Sequence, residues 1–142
     1  MTTIQEKILK IKNFFSNSQT PDQTYETIMD LGKQLPSLSE EYKIEDNRIH
    51  SCQSTTYIHN SYKNGLLFFE ADSDALISKG LAFLLISVYN GEKPLTILKT
   101  QPIYLKELGI SDLLSPNRAT GMNDMFKRIQ KDALKYLVDE NQ

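Results

Sequence analysis

Residues 55–71 read TTYIHNSYKNGLLFFEA, and this stretch decides the fold class. Thr55 to Tyr62 is rich in β-branched and aromatic residues, which favour a strand, and Leu66 to Ala71 has the same character. Asn64-Gly65 between them is typical of a two-residue hairpin turn. The stretch therefore predicts an antiparallel hairpin. Because an isolated hairpin is only marginally stable in water, the rest of the chain has to cover it.

Helical patterns flank the hairpin on both sides. Apolar residues recur at helical spacing behind four groups of capping residues, which are Thr3, Thr20-Pro21, Asp72-Ser73-Asp74 and Ser115-Pro116. The third helix, which should end at Asn90-Gly91, carries the most apolar face and is predicted to be central. Short helical turns are predicted around Leu95 to Leu98 and from Ile103 to Leu108.

The chain length supports one domain. The sequence has 142 residues, which suits a single unit on a prior of about 100 to 200 residues per domain. Residues 1–142 are therefore predicted to form one α+β domain, in which helices pack a small antiparallel sheet.

The charge distribution excludes several classes of partner. The chain carries 16 basic and 18 acidic residues, and the basic ones are scattered, so the sequence lacks the basic patch that binds nucleic acid. No apolar run approaches the roughly 20 residues that cross a bilayer, and the first residues do not resemble a secretory signal. We expect a cytoplasmic protein that binds neither nucleic acid nor membranes.

Cys52 is the only cysteine of the chain, so an intrachain disulfide is impossible. It lies on a predicted loop beside the sheet, and its small polar neighbours leave the thiol approachable. A free cysteine usually packs as a small hydrophobic residue. His50 would lie on the same face of an extended segment and invites a nucleophile-and-base interpretation, although a lone loop histidine is usually solvated.

Metal and phosphate chemistry is not indicated. One cysteine and two histidines fall short of the three or four ligands of a zinc site. The glycines are isolated from one another, which excludes a phosphate-binding loop.

Three further charged residues have distinctive positions. Asp72 and Asp74 lie where a helix N-terminus favours negative charge, so we predict that they cap the third helix. Arg118 lies at the start of the last helix, where the helix dipole disfavours a cation. This suggests that Arg118 has another role.

Four blocks of sequence also match a known pattern. They are, in chain order, Tyr25-x5-Leu31-Gly32-x2-Leu35-Pro36, Ser51-Cys52-Gln53-Ser54, Ala71-Asp72-Ser73-Asp74-Ala75 with Lys79-Gly80-Leu81, and Leu114-Ser115-Pro116-Asn117-Arg118 with Gly121-Met122. In this order and spacing the blocks resemble the SufE family, the sulfur acceptor proteins of cysteine desulfurases.

The resemblance implies a fold and a function. The fold would be SufE/IscU-like, with the cysteine loop at one end of the sheet. Cys52 would receive sulfane sulfur from a pyridoxal-phosphate-dependent cysteine desulfurase (SufS-like), hold it as a persulfide, and pass it to an iron–sulfur scaffold complex (SufBCD-like). The chain would stimulate the desulfurase without being an enzyme itself. Pyridoxal phosphate would belong to the partner, so no cofactor is expected on this chain.

The resemblance also implies roles for the residues around Cys52. The partner-binding or loop-supporting residues would be Ser51, Gln53, Ser54, Asp72, Asp74 and Arg118. The chain departs from the family pattern at Ser51, where a glycine usually precedes the cysteine, and at Tyr57, where a tryptophan is common. Two other hypotheses remain open at this stage: a self-contained thiol enzyme that uses Cys52 with His50, and an adaptor in which Cys52 is inert.

Overall fold

The predicted hairpin forms the whole sheet in the part of the chain that the computed structural model describes, residues 2–140. Its strands are β1 (Thr56–Lys63) and β2 (Leu66–Ser73). The helices are α1 (Ile4–Phe14), α2 (Pro21–Lys33), α3 (Leu76–Tyr89), α4 (Pro94–Lys99), α5 (Ile103–Glu107), α6 (Ile110–Leu113) and α7 (Pro116–Glu140). Two short 3-10 turns, Glu40–Tyr42 and Glu45–Asn47, precede the sheet. The α+β fold class is confirmed.

The hairpin has the register that its turn predicts. Antiparallel pairing runs from Thr56 opposite Ser73 to Lys63 opposite Leu66. Asn64 and Gly65 between the strands both have positive φ, 54° and 80°, as a two-residue type I′ turn requires.

Helix α3 is the central element, as its apolar pattern predicted. Ten of its 14 residues are buried, and it packs against β2 and against helices α1, α2 and α7. The crossing with α2 is close enough to require a glycine at position 80, because a Cβ there would lie only 2.1 Å from the carbonyl oxygen of Ile28. No helix within residues 2–140 is long and apolar enough to span a membrane.

Three of the predicted N-caps are confirmed. Thr3, Thr20 and Ser115 cap α1, α2 and α7, and each hydroxyl accepts a hydrogen bond from the backbone N–H of the third helical residue. In α2 the side chain of Gln23 also accepts from the backbone N–H of Thr20, which completes a capping box.

The predicted caps of α3 are wrong. Ala75 is the N-cap residue of α3, and no side chain caps this helix. The sequence pattern missed this because β2 continues to Ser73, two residues beyond the predicted end of the strand. Asp72 therefore belongs to the sheet, and Asp74 lies in the short connection to the helix.

One helix was not predicted. Helix α6 has only four residues, too few for a hydrophobic period to be recognised. It begins directly after Gly109, whose φ of 76° turns the chain out of α5.

Candidate functional site

Cys52 lies in the loop that enters β1, hereafter the Cys52 loop, residues 48–55. Two backbone hydrogen bonds fold this loop over the start of the strand: the Ile49 N–H donates to the Thr56 carbonyl at 2.9 Å, and the Cys52 N–H donates to the Ile49 carbonyl at 3.3 Å. Cys52 is half-buried. The loop therefore turns the thiol inward, toward the helices.

Helix α7 provides the place where the thiol packs. A Cβ built on Gly121 would lie 2.9 Å from Cys52 Sγ and 3.7 Å from Cys52 Cα. Any other residue at position 121 would push the cysteine away, so this glycine creates the notch that holds the side chain. Gly121 belongs to one of the blocks that match the family pattern, yet the sequence alone gave it no role.

A small cavity of about 110 Å³ adjoins the thiol. Its apolar lining comes from Ile77 and Leu81 on α3 and from Met122 and Met125 on α7. The remaining lining residues are mainly polar, among them Gln53, Ser54, Ser78, Asn117 and Arg118. Because one water molecule occupies about 30 Å³ in the liquid, the cavity has room for one added sulfur atom on Cys52.

The surroundings of Cys52 disfavour its ionisation. Burial raises the pKa of the Cys52 thiol, the Asp124 carboxylate raises it further, and a hydrogen bond from Thr56 partly opposes this rise. In the free protein the thiol is therefore mainly protonated at neutral pH. A protonated thiol is a poor nucleophile, so this site is not poised to react by itself.

Arg118 lines the same cavity as Cys52. Its side chain is exposed, and its guanidinium carbon lies 6.0 Å from the centre of the Tyr25 ring on α2. A cation over an aromatic ring at this distance gains a modest electrostatic attraction. This contact explains how the first turn of α7 accommodates a positive charge.

The hydroxyl of Ser51, where the family pattern has glycine, is unusual. Ser51 Oγ is buried, and it is the only buried side-chain polar atom without a hydrogen-bond partner in the described part of the chain. A buried hydroxyl in this state costs about 1–3 kcal/mol. The cost falls on the inward-turned loop, since an extended loop would expose the hydroxyl to water.

Asp72 and Asp74 do not reach the cavity of Cys52. They lie in a separate polar cleft with Lys43 and Thr55. Asp74 Oδ1 accepts a hydrogen bond of 3.0 Å from the backbone N–H of Thr55, the last residue of the Cys52 loop. The structure thus places Asp74 against the end of the loop and away from the thiol.

His50 is not directed toward the thiol. Its Nε2 lies 2.6 Å from Glu45 Oε1, and its side chain is 62% exposed. His50 lines a third cavity, together with Ser51 but without Cys52. Within residues 2–140 no group of histidine, cysteine and acidic side chains could hold a metal ion.

Comparison with protein-family models shows which family the chain belongs to. Residues 9–133 match the SufE family model, described as an Fe-S metabolism associated domain. The chain belongs to the SufE family. The matched range contains the Cys52 loop, Gly121 and all the lining residues of the cavity, so the whole candidate site lies inside the SufE domain.

Curated proteins with similar sequences carry the same family name. The chain is 32% identical over 139 residues to an uncharacterized SufE-like protein of Synechocystis, covering 98% of this chain and 87% of that one. It is 32% identical over 143 residues to the cysteine desulfuration protein SufE of Wigglesworthia glossinidia brevipalpis, covering 99% and 98%. A chloroplastic/mitochondrial SufE-like protein of Arabidopsis thaliana is 34% identical over 129 residues, covering 90% of this chain and 35% of its own length.

The fold also occurs in a solved structure. A hypothetical protein from Thermus thermophilus, determined in solution, superposes with a TM-score of 0.75 over 93% of this chain and 96% of its own. The two sequences are 22% identical, so this similarity concerns the fold alone.

Proposed function

We propose that this chain accepts sulfane sulfur on Cys52 from a pyridoxal-phosphate-dependent cysteine desulfurase (SufS-like) and carries it as a persulfide to iron–sulfur cluster assembly. The observation that carries the proposal is the place of Cys52, the only cysteine of a SufE-family chain, packed against Gly121 beside a cavity that accommodates one more sulfur atom. The receiving partner would be an iron–sulfur scaffold complex (SufBCD-like). The relative named cysteine desulfuration protein, which aligns with 99% of this chain, supports the same class of function.

The transfer step needs no cofactor on this chain. The Cys52 thiolate attacks the outer sulfur of the donor persulfide, so that a bond forms between Cys52 Sγ and that sulfur while the sulfur–sulfur bond of the donor breaks. The electron pair of the broken bond leaves on the donor cysteine as a thiolate. Sulfane sulfur passes across without net oxidation, and pyridoxal phosphate acts on the desulfurase.

The raised pKa of Cys52 supports the role of a partner-dependent acceptor. Because burial keeps the thiol protonated, contact with the desulfurase has to move or ionise it before transfer. The chain would then stimulate the desulfurase by removing its sulfur, without being an enzyme itself. The apolar part of the cavity would shelter the persulfide from reductants and oxidants between the two transfers.

A self-contained thiol enzyme is less well supported. That alternative uses His50 as the base for Cys52, but His50 contacts Glu45 and lines a different cavity.

A chain with one cysteine also suits a reducing compartment, and we place this function in the cytoplasm.

Mass spectrometry of the intact protein tests the proposal. Incubation with a purified SufS-type desulfurase and cysteine should add one sulfur atom to the wild-type chain, and omission of either component should abolish the adduct. Cys52→Ser should carry no adduct, because no other cysteine can accept sulfur. A sulfur adduct on Cys52→Ser, or none on the wild type, contradicts the proposal.

A further inference from the structure

Arg128 and Asp132 form a mostly buried ion pair on helix α7. Arg128 Nε lies 3.1 and 2.9 Å from the two carboxylate oxygens of Asp132, and the two side chains are only 14% and 9% exposed. Because an unpaired buried charge is strongly destabilising, each of the two residues keeps the other in place. The pair uses one nitrogen of the guanidinium and leaves the other two available for further hydrogen bonds.

Those two nitrogens bind the 3-10 turn Glu45–Asn47. Arg128 Nη1 donates to the Asp46 carbonyl at 2.9 Å, and Nη2 donates to Asn47 Oδ1 at 2.8 Å. Asn47 is buried, and its Nδ2 donates to the Tyr42 carbonyl at 2.8 Å. Because the guanidinium is planar and rigid, these bonds fix the position of the turn relative to α7.

This turn lies directly before the Cys52 loop, which begins at Arg48. At the other end of the loop, Thr55 and Asp74 are joined by hydrogen bonds in both directions. The Thr55 N–H donates to Asp74 Oδ1 at 3.0 Å, and the Asp74 N–H donates to the Thr55 carbonyl at 3.2 Å. Both ends of the loop are therefore held, and the residues between them can change position without breaking these bonds.

Helix α7 also holds the thiol. Cys52 packs against Gly121, which precedes Arg128 by seven residues, about 10.5 Å along the helix at about 1.5 Å per residue. Asn47 precedes Cys52 by five residues, which span at most about 18 Å when fully extended. One helix thus sets both the resting place of the thiol and the point from which the loop can extend.

The bonds from Arg128 to the turn neutralise no charge. Asp132 already compensates the guanidinium on the same helix, and the acceptors in the turn are a backbone carbonyl and an amide oxygen. Their effect is geometric, because they connect segments that lie 82 and 81 positions apart in the chain. An arginine that served helix α7 alone would not need them.

We propose that Arg128 is a positioning residue for sulfur transfer: it fixes the start of the Cys52 loop on α7, so that a thiol leaving Gly121 reaches a defined place. This inference rests on the proposed function, in which Cys52 meets a donor persulfide on a partner. Reacting groups that are held in the right geometry react faster than groups that have to find one another. A loop whose start is not fixed would let Cys52 explore a larger volume and would lower its effective concentration at the donor.

Hydrogen exchange in the free protein tests whether Arg128 fixes the turn. Arg128→Lys keeps the charge beside Asp132, but a single ammonium group cannot replace the planar guanidinium at several acceptors. The backbone N–H of Arg48 closes the turn by donating to the Glu45 carbonyl at 3.1 Å. Its exchange, measured by NMR, should become about tenfold faster in Arg128→Lys, because the turn opens locally more often.

Desulfurase kinetics test the consequence for sulfur transfer. Sulfide release from cysteine by a SufS-type desulfurase is measured against the concentration of each variant, which gives a maximal stimulated rate and a half-saturating concentration. In Arg128→Lys the maximal rate should fall about tenfold, while the half-saturating concentration should stay within about twofold, because this mostly buried side chain offers little surface for docking. A role in stability alone would leave both values unchanged once they are corrected for the folded fraction, measured by circular dichroism.

Two further variants complete the design. Lys131→Arg exchanges the same two side chains at an exposed position of α7 and should change neither measurement. Asn47→Ala removes the acceptor of Nη2 and leaves the ion pair with Asp132 intact, so it should reproduce the effects of Arg128→Lys and replaces that variant if it does not fold. Exchange at the wild-type rate in a folded variant, or faster exchange with a wild-type maximal rate, overturns the inference.

Failure of the proposed function would look different. A wild type that takes up no sulfur and stimulates no desulfurase would defeat both proposals. Failure of this inference alone would show as a wild type that does both and an Arg128→Lys variant with the same maximal rate.

Discussion

Replacement of Gly121 by alanine should drive Cys52 out of its inward position. The new Cβ would lie 2.9 Å from Cys52 Sγ, whereas favourable contacts between heavy atoms lie at about 3.5–4.0 Å, so the sulfur has to move by roughly 0.6–1.1 Å. Overpacking an interior costs about 1–3 kcal/mol. Alanine in place of glycine inside a helix stabilises the fold by about 0.5–1 kcal/mol.

The clash and the helix stabilisation act on different states of the Cys52 loop. The stabilisation of the helix by alanine applies whether the loop is turned inward or extended, while the clash applies only to the inward loop. Global stability should therefore change little. The extended fraction of the loop should rise about tenfold for a clash of about 1.4 kcal/mol.

The rate of iodoacetamide labelling in the free protein measures this fraction. Because Cys52 is the only cysteine, each adduct detected by intact mass lies at this residue, and labelling at several pH values separates exposure from a change in thiol pKa. Asn123→Ala is the matched control, since Asn123 is exposed on the same helix. Labelling of folded Gly121→Ala at the wild-type rate would refute the reasoning.

Two other predictions concern charged residues. Arg118→Ala should weaken desulfurase stimulation, measured as sulfide release from cysteine, with little change in melting temperature because the side chain is exposed; a drop of many degrees would instead make Arg118 structural. Burial raises the pKa of Asp72, but backbone hydrogen bonds and nearby lysines outweigh burial and leave this pKa lower than usual. Asp72 therefore contributes stability above the unfolded-state pKa of about 3.9, and this contribution is lost as the pH falls through the lower folded-state value. Urea unfolding in acid should show a weaker pH dependence for Asp72→Asn than for the wild type, and equal pH dependence would contradict this assignment.

Much of the fold follows from local sequence. Asn64-Gly65 fixes the hairpin because both residues tolerate positive φ, and the N-caps of α1, α2 and α7 depend on residues three positions apart. The start of α3 does not follow from local sequence. Asp72 accepts hydrogen bonds from the backbone of Leu38 and Ser73, and a partner as distant as Leu38 is not visible in a local pattern.

The candidate site was predictable only in part. Cys52 stands out in the sequence because it is the only cysteine, and Arg118 because its position opposes the helix dipole. Gly121 acquires its role by meeting Cys52 in the folded chain. A glycine in a helix has ordinary structural explanations, so the sequence gave no reason to connect it with the thiol.

Protection and reactivity make opposite demands on Cys52. On the proposed function, burial would shelter a persulfide, but it also raises the pKa of the thiol that would receive the sulfur. Two residues have opposite effects on the inward position of the loop. Gly121 leaves room for the inward thiol, while the unpartnered hydroxyl of Ser51 disfavours this position. A glycine at position 51 would have no such hydroxyl and would remove this cost from the inward loop. On the proposed function, a small binding energy from the desulfurase would then suffice to extend the loop, so that the thiol ionises where the donor persulfide is present.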